Sequence, residues 1–567
     1  MPASGTTPGE NEVSDADQIA ADIPTEPPVD KGRQKRGISS FWYDRIIEIS
    51  LVLSMAAYYV IGNVHLGTGF LFKLNPFLSL PFLLVFAVLC WYRLPFAIAL
   101  FPLALPFYLY QKTVFSHYSF SLAEITLGIY ILVALLQLVL QRSNWPYWLT
   151  WQELRDRLGP FSIPVLVFFL AAALSIIVAY DKVVALRYYR EEIVDPLIYI
   201  ALALYCLRSR RDVIRLLFAM LSTGLLVAIL GMIQYFFFRN QLPLESDGIR
   251  RVHAMYGSAN SIGMLFDYIL PIGFALVVAK TPFVANTWAF WKSKSGAIAV
   301  CLPMLYVLYL TQSHGAWIAI AVAAIFIAAI SIRNRKALLI VTPIFLVLLG
   351  ITFFLYHTRI TDFIFGSHVD VHNVSTTTKR IYLWRSALNM IHDSPWFGYG
   401  MNNWLCHYSN NRVCYTPQLH HYWITLDPVT HVSIDLKFEP DLSHPHNVFL
   451  HVWVSIGIFG VLAFAALLLL FAWLFIRVLR NLRANETREN LPLQWMTIGV
   501  GAAMLAAMVQ GLVDSAFLEQ DLAFCFWIVI VALLLLRFLS STSWRGGVKG
   551  PAPIQAANGQ AARKEKE

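Results

Sequence analysis

Residues 457–476 read GIFGVLAFAALLLLFAWLFI, an apolar run without a charge that ends where Arg477 opens a basic turn. About 20 such residues in helical form cross the hydrocarbon core of a bilayer. Runs of the same kind recur near 46–63, 76–92, 94–110, 120–141, 160–179, 193–207, 213–237, 260–280, 297–312, 315–332, 337–355, 447–476, 493–513 and 521–538, about fourteen in all. The pair from 76 to 110 carries several prolines and a barely polar joint at Trp91–Arg93, so it also reads as one broken hairpin, giving about twelve or thirteen spans. The expected fold class is all-α: a polytopic α-helical integral membrane protein with about 12–14 transmembrane helices and one large extracytoplasmic loop. The ten-residue alternation of an outer-membrane barrel is absent.

Composition agrees. Of 567 residues, 57% are hydrophobic and 14% charged, too little polar surface to clothe water-soluble domains. The net charge of +9 comes from 43 basic and 34 acidic residues scattered through short loops, which argues against a nucleic-acid partner. Residues 1–40 and 541–567 lack apolar periodicity and read as disordered cytoplasmic tails, with no signal peptide expected at the start. Between them the expected layout is an N-terminal helix bundle over 41–355, an extracytoplasmic loop over 356–446 and C-terminal membrane helices over 447–540. With the basic tail inside, Arg208, Arg210, Arg211, Arg215, Arg333, Arg335, Arg477, Arg480 and Arg483 all fall on the cytoplasmic side, as the positive-inside rule asks. The long loop then lies outside, and within it Ile381, Trp384, Leu388 and Ile391 share helical spacing, an amphipathic helix ending at Ser394–Pro395.

Most of the histidines, from His357 to His451, fall in or beside that loop. His420–His421 and His444-x-His446 can be argued as metal pairs, but neither sits in a known ligand pattern and few carboxylates are near, so no metal is expected. His446 stands at the junction of loop and membrane, followed by Asn447. A histidine there can take a proton from a hydroxyl near neutral pH, or simply make a structural hydrogen bond; Asn447 can fix its ring or the substrate. External arginines are the second signal. Arg187 and Arg190 have Glu191 and Glu192 beside them and read as local pairs, whereas Arg251, in the stretch leading to Asn260, and Arg380 read as phosphate ligands, because guanidinium forks match phosphate bidentately. Asp267 inside a span, and Asp514, Glu519 and Asp521 at the last external turn, are costly carboxylates that could mark a cavity or a proton path. Cys406 and Cys414 both lie in the external loop, where a disulfide can form. No P-loop and no GxGxxG signature occurs, so the energy for any reaction comes with the substrate.

Three elements together resemble a known family: Arg380-Ile-Tyr-Leu-Trp384-Arg-Ser-Ala-Leu, then Asp393-Ser-Pro395-Trp-Phe-Gly398-Tyr-Gly400, then His444-Pro-His446-Asn447 followed by Gly457-x-x-Gly460-Val461. They are similar to the shared domain of the O-antigen ligase and O-antigen polymerase superfamily. Arg251 with Gly257 and Asn260 resembles the family's earlier arginine-containing external element more loosely. The resemblance implies a glycosyltransferase of the bacterial cytoplasmic (inner) membrane that moves a glycan from undecaprenyl pyrophosphate to a hydroxyl of a glycan, lipid or protein acceptor, on the extracytoplasmic face, among membrane lipids and without a cofactor. It implies His446 as catalytic base or transition-state stabiliser, with Arg251 and Arg380 as diphosphate ligands and Asn447 and Asn260 beside them. Where the family often has Ser-Arg-Gly, this chain has Ser313-His314-Gly315, so His314 would replace a phosphate-binding arginine and bind only more weakly or when protonated. Ligase, polymerase and protein glycosyltransferase stay open, and the reading from another class is an exporter of glycans or lipid-linked glycans.

Overall fold

The computed structural model describes residues 37–62, 76–114, 118–140, 150–242, 250–279, 287–331, 376–408, 419, 421–422, 444–487 and 490–541. Residues 1–36 and 542–567 of the expected tails, the expected span at 337–355, Cys414, His420 and most of the long loop lie outside the described residues, while 37–40, expected in the first tail, are helical. Residues up to Ser50 form one unit and Leu51 onward the other. The first contains the start of α1 (Gly37–Val60), with an Arg45–Glu48 ion pair at 2.6 Å.

In the second unit the chain continues through α2 (Leu80–Leu100), α3 (Leu122–Leu140), α4 (Trp151–Leu158), α5 (Ser162–Val178), α6 (Lys182–Tyr189), α7 (Asp195–Cys206), α8 (Arg210–Phe237), α9 (Ala259–Val278), α10 (Thr287–Thr311) and α11 (His314–Ser331). After the long loop's own helices, α12 (Thr376–Asp393) and α13 (Trp404–Tyr408), come α14 (Val448–Ile456), α15 (Ile458–Ala484), α16 (Leu491–Gly511) and α17 (Gln520–Ser540). Among the described residues ten helical segments are long and apolar enough to cross a membrane, so the chain is a multi-pass α-helical membrane protein. The expected span at 193–207 falls on α7, which continues from α6 through a π-helical stretch, Arg190–Val194, without a break in the helix.

The stretch from Phe77 to Phe107 breaks at Arg93 (φ −142°, ψ 51°), just before Pro95. Its two ends are tied to one place: Lys112 Nζ donates to Ser79 Oγ and to the Ile61 carbonyl, while Tyr59 OH donates to the Phe107 carbonyl. The segment therefore turns back at Arg93, as both readings of its sequence, two spans or one broken hairpin, expect. A proline removes a backbone donor and disfavours helix before it, which puts the turn there.

Helices α9, α16 and α17 are the most enclosed, each with 83% of its span buried. Small residues let them approach: a Cβ on Gly499 would stand 3.1 Å from Ala275 Cβ and from Ile272 Cα. Peripheral helices α5 and α11 leave Ile163, Ile177 and Ile318 exposed, the surface a lipid tail covers. Basic side chains collect at one end, where Arg157 donates to the Leu204 carbonyl, Arg483 donates to that of Ile330, and Arg157 and Arg537 both face the Phe538 ring. Polar contacts among 108–124, 181–191, 403 and 514–519 mark the other end.

At that end the chain closes a seam. The 395–400 segment lies along the end of α14, with Tyr399 N–H donating to Val454 O (2.7 Å), Gly400 N–H to Ser455 O (3.1 Å), and Ile458 N–H and the Trp453 indole to Pro395 O (2.9 and 3.1 Å). Gly457, at φ 81°, breaks α14 from α15, and a Cβ there would stand 2.0 Å from Trp396 O. The expected amphipathic helix exists as α12, but its buried face is Leu383, Ala387, Met390 and Ile391, packed near Trp404 and Val454. Of the expected apolar stripe, Ile391 is buried with that face, Ile381 and Trp384 are half-buried and Leu388 is exposed.

Gly457→Ala is expected to lower stability by about 1–3 kcal/mol from backbone strain alone, with the steric clash in addition. Thermal unfolding in detergent, read by tryptophan fluorescence, checks this against Gly128→Ala, where a Cβ would meet nothing within 4 Å.

Candidate active site

The seam brings α12 beside the start of α14, and His446 stands between them. Asn447 caps α14: its side-chain oxygen accepts from Phe449 N–H (3.0 Å) and Leu450 N–H (3.1 Å), while its Nδ2 donates to the Leu512 carbonyl (2.9 Å). That residue ties the helix start to the α16–α17 connection, so most of its hydrogen-bonding capacity goes into structure. His446 itself adopts φ 50°, a left-handed backbone that costs a non-glycine residue about 1–3 kcal/mol. Neighbours hold it there. Its N–H donates to His444 Nδ1 (3.3 Å) and its carbonyl accepts from the Trp384 indole of α12 (3.2 Å).

The ring meets Asp514, with Nδ1 to Oδ1 at 2.8 Å. Burial alone would push the Asp514 carboxyl up, but the His446 charge and hydrogen bond, then His444 and Arg380, outweigh it and hold the group below the usual carboxylate range. An ionised carboxylate only accepts, so Nδ1 carries the hydrogen whatever the charge of the ring, and in the neutral ring Nε2 keeps the lone pair of a base. Ser515 N–H also donates to Asp514 Oδ1, at 2.9 Å. Behind the dyad, His444 stacks on His451 with centroids 5.5 Å apart, and His451 Nδ1 meets Ser515 Oγ at 2.5 Å. Burial pushes the His444 imidazole well down, the His446 charge adding to it, so His444 is a neutral acceptor for the His446 backbone.

His444, His446 and Asp514 have ligand atoms within 4.8 Å of one another, and among the described residues they are the group that could hold a metal ion. Asp514 Oδ1 lies at hydrogen-bond distance from His446 Nδ1 and His444 Nδ1 accepts from the His446 backbone, while the buried Asp514 Oδ2 has no hydrogen-bond partner among the described residues.

The other residues expected at the site are distributed around it. Arg380, half-buried on the first turns of α12, acts electrostatically on both Asp514 and His444. His314 is exposed at the start of α11, edge-on to Trp317 (5.0 Å). Its neighbour Gly315 faces Val513, beside Asp514, so this turn abuts the dyad's loop. Asn260 is half-buried on the first turn of α9, after the Ser258 cap, and Gly263 one turn on packs against Ser313 and Ala316. Arg251 is half-buried on the loop before α9, which is anchored by Gln234 accepting from His253 N–H and Ala254 N–H. The expected local pairing of Arg187 and Arg190 forms with Glu191 (2.8 and 3.0 Å), and Arg190 also pairs with Glu124. Cys406 is disulfide-bonded; Cys414, its expected partner, lies outside the described residues.

Asp514 entered the sequence reading only as a costly carboxylate near the membrane. Nothing in its spacing, 68 residues beyond His446, marks it as that ring's partner. His451 and Trp384 were readable only as a loop-end histidine and an apolar helix position.

Residues 299–465 match the family described as O-antigen ligase. The matched segment contains His314, Arg380, His446 and Asn447, in agreement with the resemblance its motifs carry, and the match supports a membrane protein with a glycosyltransferase-like role in polysaccharide assembly. Arg251, Asn260 and Asp514 fall outside the match. No curated protein matches the chain.

Because its carboxyl is held below the usual range, Asp514 contributes stability above the unfolded carboxylate value of about 4, and this contribution is lost as pH falls below it. The unfolding-temperature gap between wild type and Asp514→Asn is expected to be widest at neutral pH and to narrow on acidification, measured by thermal unfolding in detergent.

Proposed function

We propose that the protein is a polyprenyl-diphosphate-dependent glycosyltransferase, of the O-antigen ligase or polymerase type, that moves a glycan from undecaprenyl pyrophosphate to an acceptor hydroxyl on the outer side of the bacterial cytoplasmic membrane. The observation that carries the reading is the His446–Asp514 dyad beside Arg380, at the end of the helix bundle away from the basic side chains. The O-antigen ligase match over 299–465 supports the reaction class.

In this mechanism His446 Nε2 takes the proton of the acceptor hydroxyl while Asp514 keeps the ring in its tautomer and stabilises the imidazolium that forms. The acceptor oxygen bonds to the anomeric carbon. The bond from that carbon to the diphosphate oxygen breaks, its electron pair leaving with the diphosphate. Arg380, with Arg251, stabilises the growing negative charge, and the guanidinium forks fit its oxygens. The proton on His446 then passes to the departed diphosphate or to water.

Purified protein in liposomes with lipid-linked glycan and acceptor tests this. His446→Ala is expected to lower the transfer rate by about 10²–10⁴-fold, the usual contribution of a positioned base. Asp514→Asn should lower kcat with little change in donor KM, and Arg380→Ala should chiefly raise donor KM. Equal product from wild type and His446→Ala would overturn the catalytic assignment and leave the exporter reading in its place.

A further inference from the structure

Next to the dyad lies a cavity of about 430 Å³, a size typical of small-molecule sites, which shares His444 and His451 with the back of the dyad. Tyr108 and Tyr188, the amides of Gln111, Asn402 and Gln520, and the three carboxyl groups of Glu191, Glu192 and Glu519 give it a polar lining. Arg187 also lines it, but its guanidinium is bonded to Glu191 at 2.8 Å. Arg380 does not line it.

Glu192 is 4% exposed and makes no hydrogen bond or ion pair among the described residues, though it borders the cavity. Glu519 is met by Tyr108 OH at 3.4 Å and by His444 Nε2 at 4.0 Å. Burial, and then neighbouring acids, push both carboxyls well above their ordinary range. A protonated carboxyl offers one O–H donor and retains acceptor lone pairs. Phenol, amide and carboxyl groups together give a dense array that both donates and accepts while carrying little charge, and the two tyrosines add flat apolar faces.

That chemistry rejects a diphosphate, which would face three carboxyl groups and no arginine outside an ion pair with Glu191. It suits a polyol. We infer that this cavity is a subsite for a neutral, hydroxyl-rich saccharide unit of the acceptor, distinct from the diphosphate position at Arg380. The assignment to the acceptor rests on the glycosyl-transfer reading, because the donor's first sugar is bonded to the diphosphate and must stay near Arg380. The saccharide-binding assignment itself does not need catalysis.

The test uses the full chain in detergent carrying His446→Ala, titrated calorimetrically with neutral oligosaccharide released by mild acid from the producing cell's surface polysaccharide. Binding is expected to weaken by about tenfold or more with Glu192→Leu, which removes the hydrogen-bonding group, and to be largely kept by Glu192→Gln, which retains a neutral donor and acceptor. In liposomes with the catalytic histidine intact, Glu192→Leu should raise acceptor KM by a similar factor and leave donor KM unchanged. Equal binding by the Leu and Gln variants, or competition by inorganic pyrophosphate, would overturn the subsite. A rise in donor KM would overturn its assignment to the acceptor. A wild-type protein that transfers nothing, yet loses saccharide binding in Glu192→Leu, would sink the glycosyltransferase reading and leave the saccharide site standing.

Discussion

The arrangement depends on one backbone-to-backbone contact, the seam in which residues 395–400 lie along the last turn of α14. Helical carbonyls at a C-terminus lack intrahelical partners, and here Val454 O and Ser455 O accept from Tyr399 N–H and Gly400 N–H instead. So close an approach is open only to residues without a Cβ. Gly398 faces Val454 O, Gly400 faces Ala179 and the Ser175 carbonyl, and Gly457 faces Trp396 O. The seam fixes α12 against α14, and through it Trp384 reaches the His446 carbonyl and Arg380 stands where it acts on Asp514. The dyad is thus held by two separate parts of the chain, one from the long loop and one from the α16–α17 connection.

The electrostatic design divides in two. Around Asp514, a ring hydrogen bond and nearby positive charge keep a buried carboxylate ionised. A few residues on, Glu519 faces acids, and burial with those neighbours pushes it the other way. Two carboxyl groups five positions apart in one short connection are therefore held in opposite states, one accepting from a base and the other available as a hydroxyl-like donor. Such divergence between neighbouring titratable groups is what sites that handle protons use.

Much of this was legible in the sequence, and the reasons differ by element. Membrane helices announce themselves by length and apolarity, so the bundle and its basic end could be read directly, and the break at Arg93 falls at the expected joint, Trp91–Arg93, just before Pro95. His446 and Arg380 were found because their motifs are local. In α12 the spacing marked an apolar stripe but not which side the rest of the fold covers: Ile391 is buried and Leu388 is not, and the buried face is completed by Leu383, Ala387 and Met390. Asp514 and Glu192 could not be assigned from spacing, since their significance arises only when distant helix ends converge.

Tyr422 gives the loop a second anchor: its N–H donates to His407 O, its carbonyl accepts from Ser386, and its hydroxyl donates to Asp393 and meets that of Tyr399. Ser386 and Asp393 both belong to α12, about two turns apart, and Tyr422 touches both. A residue that grips a helix at two levels resists both its rotation and its sliding, so Tyr422 acts as a strap on the helix that presents Trp384 and Arg380 to the dyad.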